Sequence, residues 1–231
     1  MIEKQRWNSV SDLSIAKNLI DSEIVLKKEK PFIHDAPFND VDISNYNNIL
    51  DFGAGVGRYI PEILRRKNKN ACIYAYDFPN MIKLAKEYLG EKTFNNVLWL
   101  QPPIQSIRVS KYDLIVASVV FQHINPKELA NILCLLNECM TTNGVLWVFS
   151  RGYNDYSNLI KLPSVMSMIN EYFEPASEVD LEDDSERHQT AIFVKRKILV
   201  KRINPFHWTN LNLENRLIRG TLQVLRRLRI I

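Results

Sequence analysis

The chain contains no run of about 18 apolar residues, so no transmembrane helix is expected from it. Its opening stretch, MIEKQRWNSV, lacks the apolar segment of a secretory signal. Cysteine is scarce: Cys72, Cys134 and Cys139 are odd in number, and each sits in an apolar stretch. They read as reduced core thiols of a cytosolic protein, not as a disulfide or metal framework. No internal repeat and no low-complexity segment is present. What remains is ordinary globular material: 231 residues, 46% hydrophobic and 24% charged, enough for one domain with extensions.

The net charge of +4 is unevenly spread. From Lys195 onward there are ten Lys and Arg against one acid, Glu214, which leaves 20 basic and 25 acidic residues before it. The body is therefore −5 and the tail +9. A mildly acidic body argues against a general nucleic-acid binder and sets the basic tail apart as a separate device.

A strand–helix alternation runs through the middle of the chain. Residues 48–52, 71–76, 97–100, 112–118 and 144–150 read as short apolar strands, with helices over 58–67, 79–89 and 126–140. Near-continuously apolar strands joined by helices predict a doubly wound, mostly parallel α/β sheet in three layers. Glu178 to Asp183 and Thr190 to Lys195 read as two closing strands. Ahead of the sheet, Ser11 to Lys28 has helical periodicity and forms part of an N-terminal segment, residues 1–45. The organisation expected is that segment, a ligand-binding domain over 46–197, and a basic amphipathic tail over 198–231.

The most informative stretch is Asp51-Phe52-Gly53-Ala54-Gly55-Val56-Gly57. Alternate glycines after a strand let the backbone turn tightly and approach a ligand. Asp77, at the end of the next strand, can accept hydrogen bonds from both hydroxyls of a ribose. The spacing is G-x-G-x-G, with Arg58 where a dinucleotide fingerprint needs its third glycine, which argues against NAD and FAD; the P-loop signature is absent too. A nucleoside without phosphates fits this pattern.

Asp51-x-Gly53-x-Gly55-x-Gly57 resembles motif I of the class I, Rossmann-like S-adenosylmethionine-dependent methyltransferases. Asp77-Phe78-Pro79-Asn80-Met81 is similar to their second motif, and Tyr112 to Ile124 to the fourth-strand motif. Thr142-Asn143-Gly144-Val145-Leu146 is similar to the approach to strand five. The resemblance covers residues 46 to 196. It implies an enzyme using S-adenosyl-L-methionine, in which Asp51, Gly53, Gly55 and Gly57 cradle the methionine part. Asp77 would hold the ribose, Phe78, Met81 and Ile104 would flank the adenine, and Ser118 would also contact the cofactor. The family usually has an Asp shortly after strand three. Here the stretch is Gln101-Pro102-Pro103-Ile104, with no acid, and only Ile104 keeps a backbone N–H to offer the adenine.

Methyl transfer needs a base only for acceptors such as a hydroxyl. His123, five residues after Ser118, is the candidate base, against a structural histidine near the cofactor. Arg151 and Tyr153, with Tyr156, follow strand five and are candidates to line an acceptor pocket. No metal site is expected. Ser118-Val119-Val120-Phe121 is not the [DN]-P-P-[YF] signature of enzymes that methylate base or amide nitrogens. The expected acceptor is therefore a small molecule or a lipid- or glycan-linked group, and nucleic acid is disfavoured. Within the tail, Leu213 to Ile231 gathers leucines on one helical side and arginines on the other. That pattern suits a membrane surface through residues 204–231, and equally docking on the domain or a homodimer contact. It leaves two readings: a cytoplasmic enzyme, peripheral on the inner face of a membrane, or a non-catalytic methyltransferase-like domain binding a protein or membrane partner.

Overall fold

A computed structural model describes residues 42–151, 168–181 and 189–196. The N-terminal helical pattern, Tyr153, Tyr156 and the basic tail lie outside them. Five strands run parallel: β1 Asn48–Phe52, β2 Cys72–Tyr76, β3 Leu98–Leu100, β4 Tyr112–Ser118 and β5 Met140–Arg151. Two more, β6 Phe173–Leu181 and β7 Gln189–Arg196, add antiparallel to β5, giving one sheet in the order β3-β2-β1-β4-β5-β7-β6. This is the doubly wound, mostly parallel α/β architecture expected.

Among the described residues, α1 Ile60–Arg66, α2 Pro79–Phe94 and α3 Pro126–Cys139 cover the sheet, and residues 168–172 are helical as well. Proline at the first turn suits α2 and α3, because the N–H it lacks would have no partner there. Asn125 caps α3 by accepting the Glu128 N–H at 3.0 Å. In the strands, neighbours point to opposite faces, and both faces are buried. Ile49, Leu114 and Val116 enter one core with Ile60 and Ile63 of α1, while Leu50, Ile115 and Ala117 enter the other with Leu129, Leu133 and Leu136 of α3.

Several boundaries differ from the sequence reading. β5 begins at Met140, immediately after α3, because Met140 pairs with Tyr112 before the register slips. α2 runs on to Phe94 across a kink at Gly90 (φ 73°). β6 starts at Phe173 instead of Glu178. Of the cysteines, only Cys139 is fully buried; Cys134 is intermediate and packs against the core, and Cys72 is exposed as the first residue of β2, although Tyr74 and Tyr76 on the same face pack inward. No helix among the described residues is long and apolar enough to cross a membrane.

The chain winds outward from β1 to β3, then crosses back to β4 on the other side of β1. The carboxyl ends of β1 and β4 thus flank the point where strand order reverses, where open α/β sheets bind ligands.

Candidate active site

The turn after β1 is tied to β2: the Gly53 and Ala54 N–H groups both donate to the Tyr76 carbonyl, at 2.9 and 3.2 Å. Its three glycines have positive φ (74°, 59° and 77°) but face different surroundings. A Cβ on Gly53 would lie 2.4 Å from Val120 Cγ2, and one on Gly57 would lie 2.8 Å from Leu89 Cδ1. A Cβ on Gly55 would meet only Met81 Cε, at 4.0 Å. Gly53 and Gly57 therefore let protein pack on the turn, while Gly55 keeps open space above it.

That space is a cavity of about 860 Å³, at the large end of ligand-site volumes. Asp51, Gly53, Gly55, Asp77, Phe78 and Met81 line it, and so do Ile104, Ser118 and His123. Gly57 is not in its wall. The cavity continues along α3, past Asn131 and Leu135, to Tyr172, a stretch of wall with no counterpart in the sequence motifs. Arg151 ends β5, with its side chain outside the described residues. Among the described residues no cluster of three or more His, Cys, Asp or Glu side chains is arranged for a metal.

Two carboxylates sit at neighbouring strand ends in unlike states. Asp77 accepts the Gly55 N–H on Oδ2 and the Phe78 N–H on Oδ1, both at 2.7 Å. Burial pushes its carboxyl up to about 6, against the pull of those two donors. Each oxygen keeps acceptor capacity for a ligand hydroxyl. Asp51 is 1% exposed, and its Oδ2 has no hydrogen-bond partner among the described residues. Burial lifts it to about 7; Arg58 opposes the rise and Asp77 adds to it.

The third feature was not legible as a motif. Arg58 Nη2 donates to Tyr59 Oη and to Ser118 Oγ, both at 3.3 Å, and those two oxygens are 2.9 Å apart. The guanidinium lies 4.8 Å from the Tyr59 ring centroid, and that ring meets Trp147 edge-on at 6.3 Å. Val119, next to Ser118, holds φ at 57°, a strained conformation for a β-branched residue. It turns the chain so that Val120 covers Gly53. His123 ends a 3-10 helix, Phe121–His123, and its N–H donates to the Val120 carbonyl at 2.9 Å.

Residues 50–146 match the family model described as a methyltransferase domain. No curated protein matches the chain by sequence. Among solved structures, the chain is similar to the PH0226 protein of Pyrococcus horikoshii OT3, at TM-score 0.58 and 14% identity over 71% of this chain and 89% of that one. It is also similar to the N-methyltransferase NodS of Bradyrhizobium japonicum WM9, solved in complex with S-adenosyl-L-homocysteine: TM-score 0.57, 15% identity, 74% and 90% covered. A third is the mitomycin 7-O-methyltransferase MmcR, at TM-score 0.54 and 12% identity, with 68% of this chain and 51% of that one covered. At these identities the likeness establishes the fold.

Proposed function

We propose that this chain transfers the methyl group of S-adenosylmethionine to a hydroxyl of a small-molecule or lipid-linked acceptor, a reading supported by the match of residues 50–146 to a methyltransferase-domain model. The observation that carries the cofactor is the pairing at the strand ends. A carboxylate fixed by two backbone N–H groups stands beside a glycine whose missing Cβ leaves the cavity open. The residues present fit the cofactor's chemistry: Asp77 has lone pairs for ribose hydroxyls, and Asp51 brings an unpartnered carboxylate oxygen to the side where a cationic amino acid would lie. Met81, Phe78 and Ile104 offer apolar surface for an adenine.

When bound, S-adenosylmethionine supplies a methyl group on an already activated sulfonium. The chain's own task is then largely to orient an acceptor and exclude water. In this reading His123 takes the acceptor's hydroxyl proton, and the wall along α3 and Tyr172 enlarges the cavity beyond the strand ends. Arg151 and Tyr153 would line the acceptor side.

The lipid-linked form of the acceptor is supported by the tail. Its sequence alternates leucines and arginines at helical spacing, a pattern that would suit a membrane carrying anionic lipid and would hold a cytoplasmic enzyme on the inner surface. The test is methyl transfer from labelled S-adenosylmethionine to the organic-soluble and aqueous fractions of a cell extract, using the full chain and a truncation ending before Asn204. Label entering the organic fraction, reduced by truncation together with vesicle binding, supports the reading. Unchanged transfer and vesicle binding after truncation removes the membrane part; no transfer to either fraction removes the enzyme.

A further inference from the structure

We propose that Arg58 is a carboxylate-binding residue of this cavity, held in place by Tyr59 and Ser118, and that its ligand is the α-carboxylate at the cofactor's amino-acid end. The proposal rests on the cofactor reading above and names a contact that reading leaves open.

Arg58 lies in the cavity wall between the ends of β1 and β4. A guanidinium that close to a pocket normally neutralises an acid, but among the described residues no ion pair joins Arg58 to a carboxylate. Its bonds to Tyr59 and Ser118 go to neutral oxygens and leave from a single nitrogen, Nη2. Arginine has five N–H donors and no acceptor, so both oxygens accept from it, and among the described residues the donors on Nε and Nη1 meet no acceptor. A planar fork of N–H groups matches a carboxylate in geometry as well as charge.

The support beneath it is rigid. Tyr59 is 6% exposed, is wedged against Trp147, and carries the guanidinium on its ring face. Ser118 closes the triangle from β4 through its 2.9 Å contact with Tyr59 Oη. Tyr59 and Ser118 are thus positioning residues, and the serine hydroxyl has its partners within the protein. Asp51, opposite in charge and close enough to feel Arg58, faces the same cavity without pairing with it. A guanidinium and a buried carboxyl that line one cavity without forming an ion pair match the two polar ends of an α-amino acid.

The test pairs residue and ligand. S-adenosylhomocysteine and its decarboxylated analogue, which lacks only the carboxylate, are titrated calorimetrically into the wild type, Arg58→Gln, Arg58→Lys and Ser118→Ala. The wild type should prefer the carboxylate ligand by about tenfold to a hundredfold, as a charge-assisted hydrogen-bond pair implies. Arg58→Gln should abolish that preference while holding the decarboxylated analogue within about twofold of wild type, which also shows the variant is folded. Arg58→Lys should restore part of the preference, and Ser118→Ala should lose part of it. Equal loss of both ligands in Arg58→Gln, or a wild type with no preference, overturns the role of Arg58 and leaves the cofactor reading standing. A wild type that binds neither ligand overturns the cofactor reading itself.

Discussion

The Gly55 N–H donates to Asp77 Oδ2 at 2.7 Å, joining the turn after β1 to the end of β2 through one hydrogen bond. Gly53 and Ala54 add two bonds to the Tyr76 carbonyl next door. The turn, its open face and the candidate ribose acceptor therefore form one unit, whose shape is set before any ligand arrives. A site built in this way loses little conformational freedom on binding.

The glycines should separate stability from binding. Gly53→Ala puts a Cβ into Val120 at positive φ, so thermal denaturation should show a loss of about 2–4 kcal/mol from strain and overpacking. Adding Val120→Ala should recover the steric part. Gly55→Ala meets no such obstacle, so its stability should fall by only about 1–2 kcal/mol. Its effect should appear in calorimetry as cofactor affinity lowered at least tenfold, by a methyl group standing in the cavity.

Asp51→Asn should stabilise the ligand-free protein. The carboxyl is buried, one oxygen is unpartnered, and burial has raised it from 3.8 to about 7. Removing its charge at about pH 8 should be worth about 2–4 kcal/mol. The melting temperature should rise by roughly 5–10 °C. The same variant should bind S-adenosylmethionine more weakly.

The pH dependence should run in opposite directions with and without ligand. Asp51 and Asp77 both have folded-state values raised above 3.8, to about 7 and about 6. Their contribution to stability is therefore fully present below 3.8 and is lost as pH rises through those two values. The ligand-free melting temperature should fall across this window. With Asp77 as the proposed ribose acceptor in its ionised form, cofactor affinity should weaken below about 6, by at most about tenfold per pH unit from this group. Thermal shift and calorimetry across the window check both slopes.

His123→Gln should lower kcat by about 10²–10⁴-fold if it removes the acceptor's proton. The dissociation constant for S-adenosylhomocysteine should stay within about twofold, a change of only a few tenths of a kcal/mol. A variant that loses cofactor binding in step with activity would make His123 a structural residue.

The parallel sheet was legible because strands buried on both faces are nearly continuous in apolar residues. Asp51, the glycines and Asp77 were legible because local turn chemistry carries them. The early start of β5 was hidden by polar Thr141, Thr142 and Asn143 ahead of the apolar run. β6 was read short because an edge strand tolerates Pro175 and needs less apolar pattern. The Arg58–Tyr59–Ser118 cluster depends on β1 lying beside β4, a pairing of residues about sixty positions apart. Its one local trace is a cation immediately ahead of α1, at the helix end where the dipole disfavours positive charge.

Asp77 and the glycine turn together make up the proposed S-adenosylmethionine site. Calorimetric titration of S-adenosylmethionine and S-adenosylhomocysteine into the wild type and Asp77→Ala tests it most directly. Affinity in the micromolar range for the wild type, lost in Asp77→Ala, is the predicted result. No binding to the wild type, or equal binding to both proteins, would show that Asp77 does not hold the cofactor.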